Sequence, residues 1–188
     1  RLARHITGRS KILVHNHCYH GSVDETFAVI GPDGEAIARH GNIGKPVPLA
    51  ETTRVVEIND LDGLERELAK GDVAACLFEP ALTNVGIVLP EPGYHEAVRE
   101  LTRRHGTLLI NDETHTICAG PGGYTGLHRL EPDFLTIGKT IGGGIPAECD
   151  ACCKKCDGHH GRDADYQAAR RAPADLRNPG RAADAGEL

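Results

Sequence analysis

The sequence predicts an α/β fold, a mostly parallel sheet flanked by helices, on three observations. Five short runs rich in Val, Ile and Leu lie along residues 11–137, two segments between them carry a helical period, and the two kinds of segment alternate. The runs are 11–16 (KILVHN), 53–58 (TRVVEI), 73–79 (VAACLFE), 107–111 (TLLIN) and 133–137 (DFLTI). Their near-continuous apolarity suits strands buried on both faces. Between the second and third, Leu61, Leu64 and Leu68 repeat at i, i+3 and i+7 and stop at Gly71. Between the third and fourth, Tyr94, Ala97, Val98 and Leu101 form one face that ends at Gly106. Strands separated by helices need crossover connections, and open sheets of this kind gather ligands at the carboxyl ends of their strands. The positions to inspect follow Asn16, Phe78, Asn111 and Ile137.

Bulk properties narrow the classes of function. A chain of 188 residues can build one domain with a sizeable core. Its 39% hydrophobic and 26% charged residues are those of a soluble protein, and no apolar run approaches the roughly 20 residues that span a bilayer, so no membrane role is expected. A net charge of -6 offers no broad cationic surface for phosphates, which argues against nucleic acid. The opening RLARHITGRSKILV has neither an initiator Met nor the pattern of a signal peptide, and reads as a chain entered in the middle. Seven cysteines, four of them crowded at Cys149, Cys152, Cys153 and Cys156, do not suit a secreted disulfide framework, so a cytoplasmic location is expected.

Composition shifts after Pro146. Residues 147–188 carry few large aliphatics and no strand-like run, which predicts two parts: an ordered domain over 1–146 and an unrelated, disordered tail over 147–188. The cysteine cluster, with His159 and His160 after it, contains C-x-x-C spacings from which thiolate and imidazole bind zinc. A zinc-binding module is the reading those spacings allow. The segment lacks a core and places Lys154 and Lys155 inside the cluster, so no metal is assigned.

The strand ends carry the chemistry. Cys18-Tyr19-His20-Gly21 follows the first strand, Glu79-Pro80 the third, Asp112-Glu113-Thr114 the fourth, and Gly138-Lys139-Thr140 with Gly142-Gly143-Gly144 the fifth. An aromatic, acids and a lysine would converge on one rim. Each has a plainer reading alone: Lys139 as a solvated surface residue, Asp112 as a cap for the next turn, Tyr19 as a half-buried core aromatic, His20 as a local hydrogen-bonding group, and Glu79-Pro80 as a strand terminus.

Together these motifs resemble the class III aminotransferase family, closest to its aminomutase branch, over roughly residues 1–146. The resemblance implies the large domain of fold-type I enzymes that use pyridoxal 5'-phosphate (PLP). It implies that Lys139, in IGKTIGGGIP, forms a Schiff base with the cofactor and then shuttles protons at the substrate carbon, and that burial lowers the affinity of its amine for a proton. Asp112 would pair with the ring nitrogen, Tyr19 would stack on one ring face and Thr114 on the other, and His20, Glu79 and Asn84 would line the pocket. The implied substrates are small amino or keto acids or amino-aldehydes, and the implied assembly is a homodimer. The stretch from Thr114 to Gly120 lacks the arginine-bearing pattern of the ornithine and aminobutyrate branch, which favours the aminomutase side.

The chain also departs from the family. A helix-opening loop that grips the cofactor phosphate would precede Arg1, and a threonine that a neighbouring subunit supplies would come well after Lys139, where the sequence is unrelated. A frameshift after Pro146, in a fragment of a longer gene, is the expectation that would explain the abrupt loss of similarity there and the Ala/Arg-rich composition that follows. Weak cofactor retention by the 188 residues, or an inert fragment that keeps the sheet, is the corresponding expectation.

Overall fold

A computed structural model describes residues 1–44, 46–142 and 148–152. In chain order the elements are α1 (Leu2–Thr7), β1 (Lys11–His15), β2 (Ala28–Ile30), β3 (Ala36–Ala38), α2 (Leu49–Thr52), β4 (Thr53–Val56), α3 (Leu61–Leu68), β5 (Val73–Phe78), α4 (Tyr94–Arg104), β6 (Leu108–Asp112), α5 (Gly123–Leu127), β7 (Phe134–Gly138) and β8 (Glu148–Cys152). All five expected strands and both expected helices form. Six strands make one sheet in the order β4-β1-β5-β6-β7-β8, parallel throughout except for the last pair.

The apolar runs are continuous because both faces of the sheet are covered at its centre. Successive side chains on a strand point to opposite faces, so Leu13 and Val14 enter different cores. Leu13, Cys76, Phe78 and Leu109 meet Leu64 and Leu68 of α3 and Tyr94, Val98 and Leu101 of α4. Val14 and Val55 meet Ala28, Leu49 and Leu82 on the other side. A buried leucine of this kind contributes roughly 1.5–3 kcal/mol. Small residues matter too, since Ala3 of α1 packs on Ala74 and Ala75 of β5. The helix ends follow local chemistry. Asp60 caps α3 by accepting the Gly63 N–H at 2.8 Å, and Gly71 and Gly106 turn the chain out of α3 and α4 with φ of 74° and 61°.

One expectation is corrected and one element is new. The chain was expected to hold no strand after Pro146, yet Glu148–Cys152 pairs antiparallel with β7 from Phe134↔Cys152 to Gly138↔Glu148. An edge strand is held by backbone hydrogen bonds to its neighbour and needs no long aliphatic run. The β2–β3 hairpin, register Ala28↔Ala38 to Ile30↔Ala36, was not anticipated either. The rest of the tail, with Cys153, Cys156, His159 and His160, lies outside the described residues. Among the described residues no helix is long and apolar enough to cross a membrane.

The strand order sets the position of the site. From β1 the chain crosses to β4 on one side, and from β5 it proceeds through β6 and β7 on the other. The carboxyl ends of β1 and β5 therefore flank a topological switch point, the crevice where α/β sheets bind ligands.

Candidate active site

An open cavity of about 980 Å³ runs along one face of the sheet, from Ala3 and Ile12 to that rim, and its lining includes Tyr19, His20, Glu79, Asp112, Thr114 and Lys139. Six of the seven expected site residues thus share one space. Asn84 does not. It is exposed and donates to the His17 carbonyl at 3.3 Å, because the turn after Pro80 carries it away from the cavity wall.

Asp112 ends β6 and is buried. One oxygen accepts from His20 Nδ1 at 2.8 Å, and the other accepts the Thr114 N–H at 3.0 Å. The capping reading of Asp112 is therefore correct and coexists with its place on the cavity. Burial, the largest single influence, opposes charge on both members of the pair, but their mutual hydrogen bond, their opposite charges and the bonds from Cys18 and Thr114 together outweigh it. His20 is pushed up to about 10, with Cys18 adding in the same direction, and Asp112 is held below the usual carboxylate range. The result is an imidazolium that locks a carboxylate in its ionised form. His15, at the end of β1 and stacked on Phe78, shows the opposite outcome: burial, with repulsion from His20 and His95, lowers it to about 3. It is neutral and structural.

Lys139 immediately follows β7 with φ of 55°, a left-handed conformation uncommon for a residue with a side chain. Such conformations cluster at functional positions. Its amine lies 3.1 Å from His115 Nε2 and 5.9 Å from the centre of the Tyr19 ring, near the outer limit of a cation–π contact. The expected burial of Lys139 is not observed. The residue is exposed, since it stands at the mouth of an open cavity rather than beneath a roof.

Tyr19 is 36% exposed, its ring set edge-on against Phe27 at 5.9 Å, which leaves a face available for stacking. Its N–H donates to Glu79 Oε1 at 3.1 Å across the β1–β5 crevice. Glu79, 4% exposed, therefore joins two strand ends instead of simply terminating one. Three residues escaped the sequence reading. Thr83 and His115 form hydrogen bonds behind Lys139. Glu113 is fully buried and accepts from Thr116 Oγ1 and from the Tyr124 and Thr125 N–H groups, which fixes the loop after Asp112 to α5. The available signal was a histidine and an acid placed just after a strand; the partners of Glu113 are near in sequence, but those of His115 lie 32 and 24 residues away.

The residues present fit a flat, nitrogen-bearing aldehyde. An amine, an ionised acid with a spare lone pair on each oxygen, and an aromatic face open onto the same cavity. Sequence comparison gives this arrangement its class. Residues 1–159 match the model of aminotransferase class III, and the chain belongs to that family, whose members are PLP-dependent enzymes. The match extends past residue 146, where composition had suggested that the likeness stops.

Among its relatives, a glutamate-1-semialdehyde 2,1-aminomutase of Syntrophomonas wolfei is 42% identical over 151 residues, covering 78% of this chain and 35% of the relative. A solved glutamate-1-semialdehyde aminomutase of Pseudomonas aeruginosa superposes with a TM-score of 0.82 at 52% identity, over 84% of this chain and 35% of that one. A second structure of that enzyme is in complex with PMP. An omega-transaminase of Sphaerobacter thermophilus gives a TM-score of 0.72 at 33% identity, covering 81% of this chain and 37% of the neighbour. The chain spans about a third of the length of these relatives.

Proposed function

We propose that this chain carries the PLP-holding part of an aminotransferase or aminomutase acting on small amino or keto acids or amino-aldehydes. The observation that carries the reading is the convergence of Lys139, Asp112 and Tyr19 on one cavity at the switch point of the sheet. In this reading Lys139 attaches the cofactor, Asp112 holds the proton on the ring nitrogen, and Tyr19 and Thr114 cover its two faces. When bound, PLP supplies an electron sink for charge that develops at the substrate carbon. The protein must keep Asp112 ionised, and the His20 imidazolium 2.8 Å away does so. Lys139 must release a proton to act as a nucleophile and afterwards carry protons at the substrate carbon. Its place on the cavity rim, beyond the last parallel strand, leaves the side chain room for both tasks.

A cytoplasmic homodimer is part of this proposal and follows the family pattern. The test is direct. The full chain is incubated with saturating PLP, reduced with borohydride and digested. Mass spectrometry is expected to find the pyridoxyl group on Lys139, and to find none there in Lys139→Ala. Labelling spread over other lysines, with Lys139 unmodified, would sink the assignment.

A further inference from the structure

The hydrogen bonds behind Lys139 have a defined direction. Glu79 is buried, and its two oxygens accept the backbone N–H groups of Tyr19 at 3.1 Å and Thr83 at 3.2 Å. The Thr83 hydroxyl lies 2.6 Å from the oxygen that accepts its own N–H. A carboxylate only accepts, so the hydroxyl proton points to Glu79. The Thr83 oxygen is then left to accept from His115 Nδ1, also 2.6 Å away, and this places the imidazole proton on Nδ1. Nε2 consequently presents a lone pair, and the group in front of it is the Lys139 amine at 3.1 Å. His115 is half-buried, whereas Lys139 is exposed on a flexible stem.

The geometry points to a Glu79–Thr83–His115 relay that sets His115 as the positioning residue and proton acceptor of the Lys139 amine. It rests on the assignment of Lys139 as the cofactor-attaching group and adds the partner with which that amine exchanges its proton. The step balances simply. One proton passes from the Lys139 ammonium to His115 Nε2, and the N–H electron pair stays on Lys139 as the lone pair a nucleophile needs. The imidazolium is then stabilised at its other nitrogen by Thr83, whose hydroxyl hands the polarisation on to Glu79; neither changes its proton count. The same contact restricts a long side chain that is otherwise free to sample many rotamers. Second-sphere bonds of this kind decide which histidine nitrogen faces the chemistry.

Two readouts on the full chain test the relay. The first needs no cofactor: nitrogen-15 NMR of the histidine rings is expected to show His115 protonated on Nδ1 and bare on Nε2, and to show mixed tautomers in Thr83→Val. A wild-type His115 protonated on Nε2 alone would overturn the relay. The second is the rate at which added PLP becomes fixable on Lys139 by borohydride. It should fall about tenfold or more in His115→Phe and severalfold in Thr83→Val. Thr83→Ser, which restores only the hydroxyl, should return it to the wild-type rate, an outcome that a mere packing role for Thr83 does not produce. Equal rates in wild type, Thr83→Val and His115→Phe would also overturn it. If PLP never becomes fixed at Lys139 in the wild type, the cofactor assignment fails, and the ring tautomers decide the relay by themselves.

Discussion

The two ends of the same parallel strands are finished in opposite ways. At the amino-terminal rim, several charges are paired closely. Arg54 reaches Asp72 at 2.9 and 2.6 Å and Glu67 at 3.0 Å, and Lys11 stands 3.2 Å from Asp72. Asp133 takes both arms of the Arg99 guanidinium at 2.7 and 2.9 Å while accepting the Leu109 N–H. At the carboxyl rim the bonds are as numerous but end at an open cavity, with the Lys139 amine, a Tyr19 ring face and Asp112 lone pairs turned toward it. Both rims use acids against bases. The difference lies in what is left over: one end ties the crossovers to the sheet, and the other holds capacity in reserve.

Substitutions should separate the two ends. The largest effect is expected for Asp112→Ala, which strands the buried His20 imidazolium. Loss of one member of a buried pair costs about 3–5 kcal/mol, so urea unfolding should shift by that order, and PLP fixation on Lys139 should fall with it. Asp133→Ala should cost about 2–3 kcal/mol, since it removes a bidentate bond and a strand N–H acceptor, yet leave the fixation rate unchanged. A large change in that rate would mean that the rims are coupled and the contrast is false.

Titration sharpens the contrast in a smaller way. Arg54, with help from Lys11 and against the cost of burial, lowers Asp72 to about 2. Its stabilisation is complete above the ordinary carboxylate range and is lost as pH falls toward 2. His20 is raised, so its stabilisation is complete below the ordinary imidazole value and is lost as pH rises through about 10. Asp112 is also lowered, so acid weakens both rims, whereas of these paired groups only His20 responds to alkali. Unfolding measured against pH should therefore lose part of its alkaline slope in His20→Asn, the buried Cys76 thiol and Tyr94 phenol, both pushed up by burial, supplying the rest, and part of its acid slope in Asp72→Asn. The smallest effect is expected for Lys70→Ala, whose bond to Glu67 is exposed. A change above about 0.5 kcal/mol there would contradict the view that such surface pairs contribute little.

The legible parts of the fold were those with a strong internal signal. β1, β4 and β5 announced themselves as apolar runs because most of their side chains are buried, β6 and β7 carry the same aliphatic run although they are half-buried where they line the cavity, and α3 and α4 stood out because Leu64, Leu68, Val98 and Leu101 all face one core. The β2–β3 hairpin was hidden because its strands are three residues long and much of its surface is solvated. β8 was hidden because backbone pairing with β7, rather than side-chain apolarity, makes it a strand. In the site, residues adjoining strand ends were readable from motif order. The pairing of His20 with Asp112 spans 92 residues, and that of Thr83 with His115 spans 32, so neither leaves a periodic trace. Exposure of Lys139 was equally invisible, since it depends on what stands over the rim.

The left-handed turn at Lys139 has a further consequence. Backbone comfort alone would install glycine or asparagine at this position, since other residues meet their own carbonyl there at a cost of roughly 1–2 kcal/mol. A long cationic side chain stands there against that gradient. Glycine at 139 would thus ease the backbone while removing the amine to which the proposed chemistry is assigned, so stability and cofactor attachment should move in opposite directions at this one position.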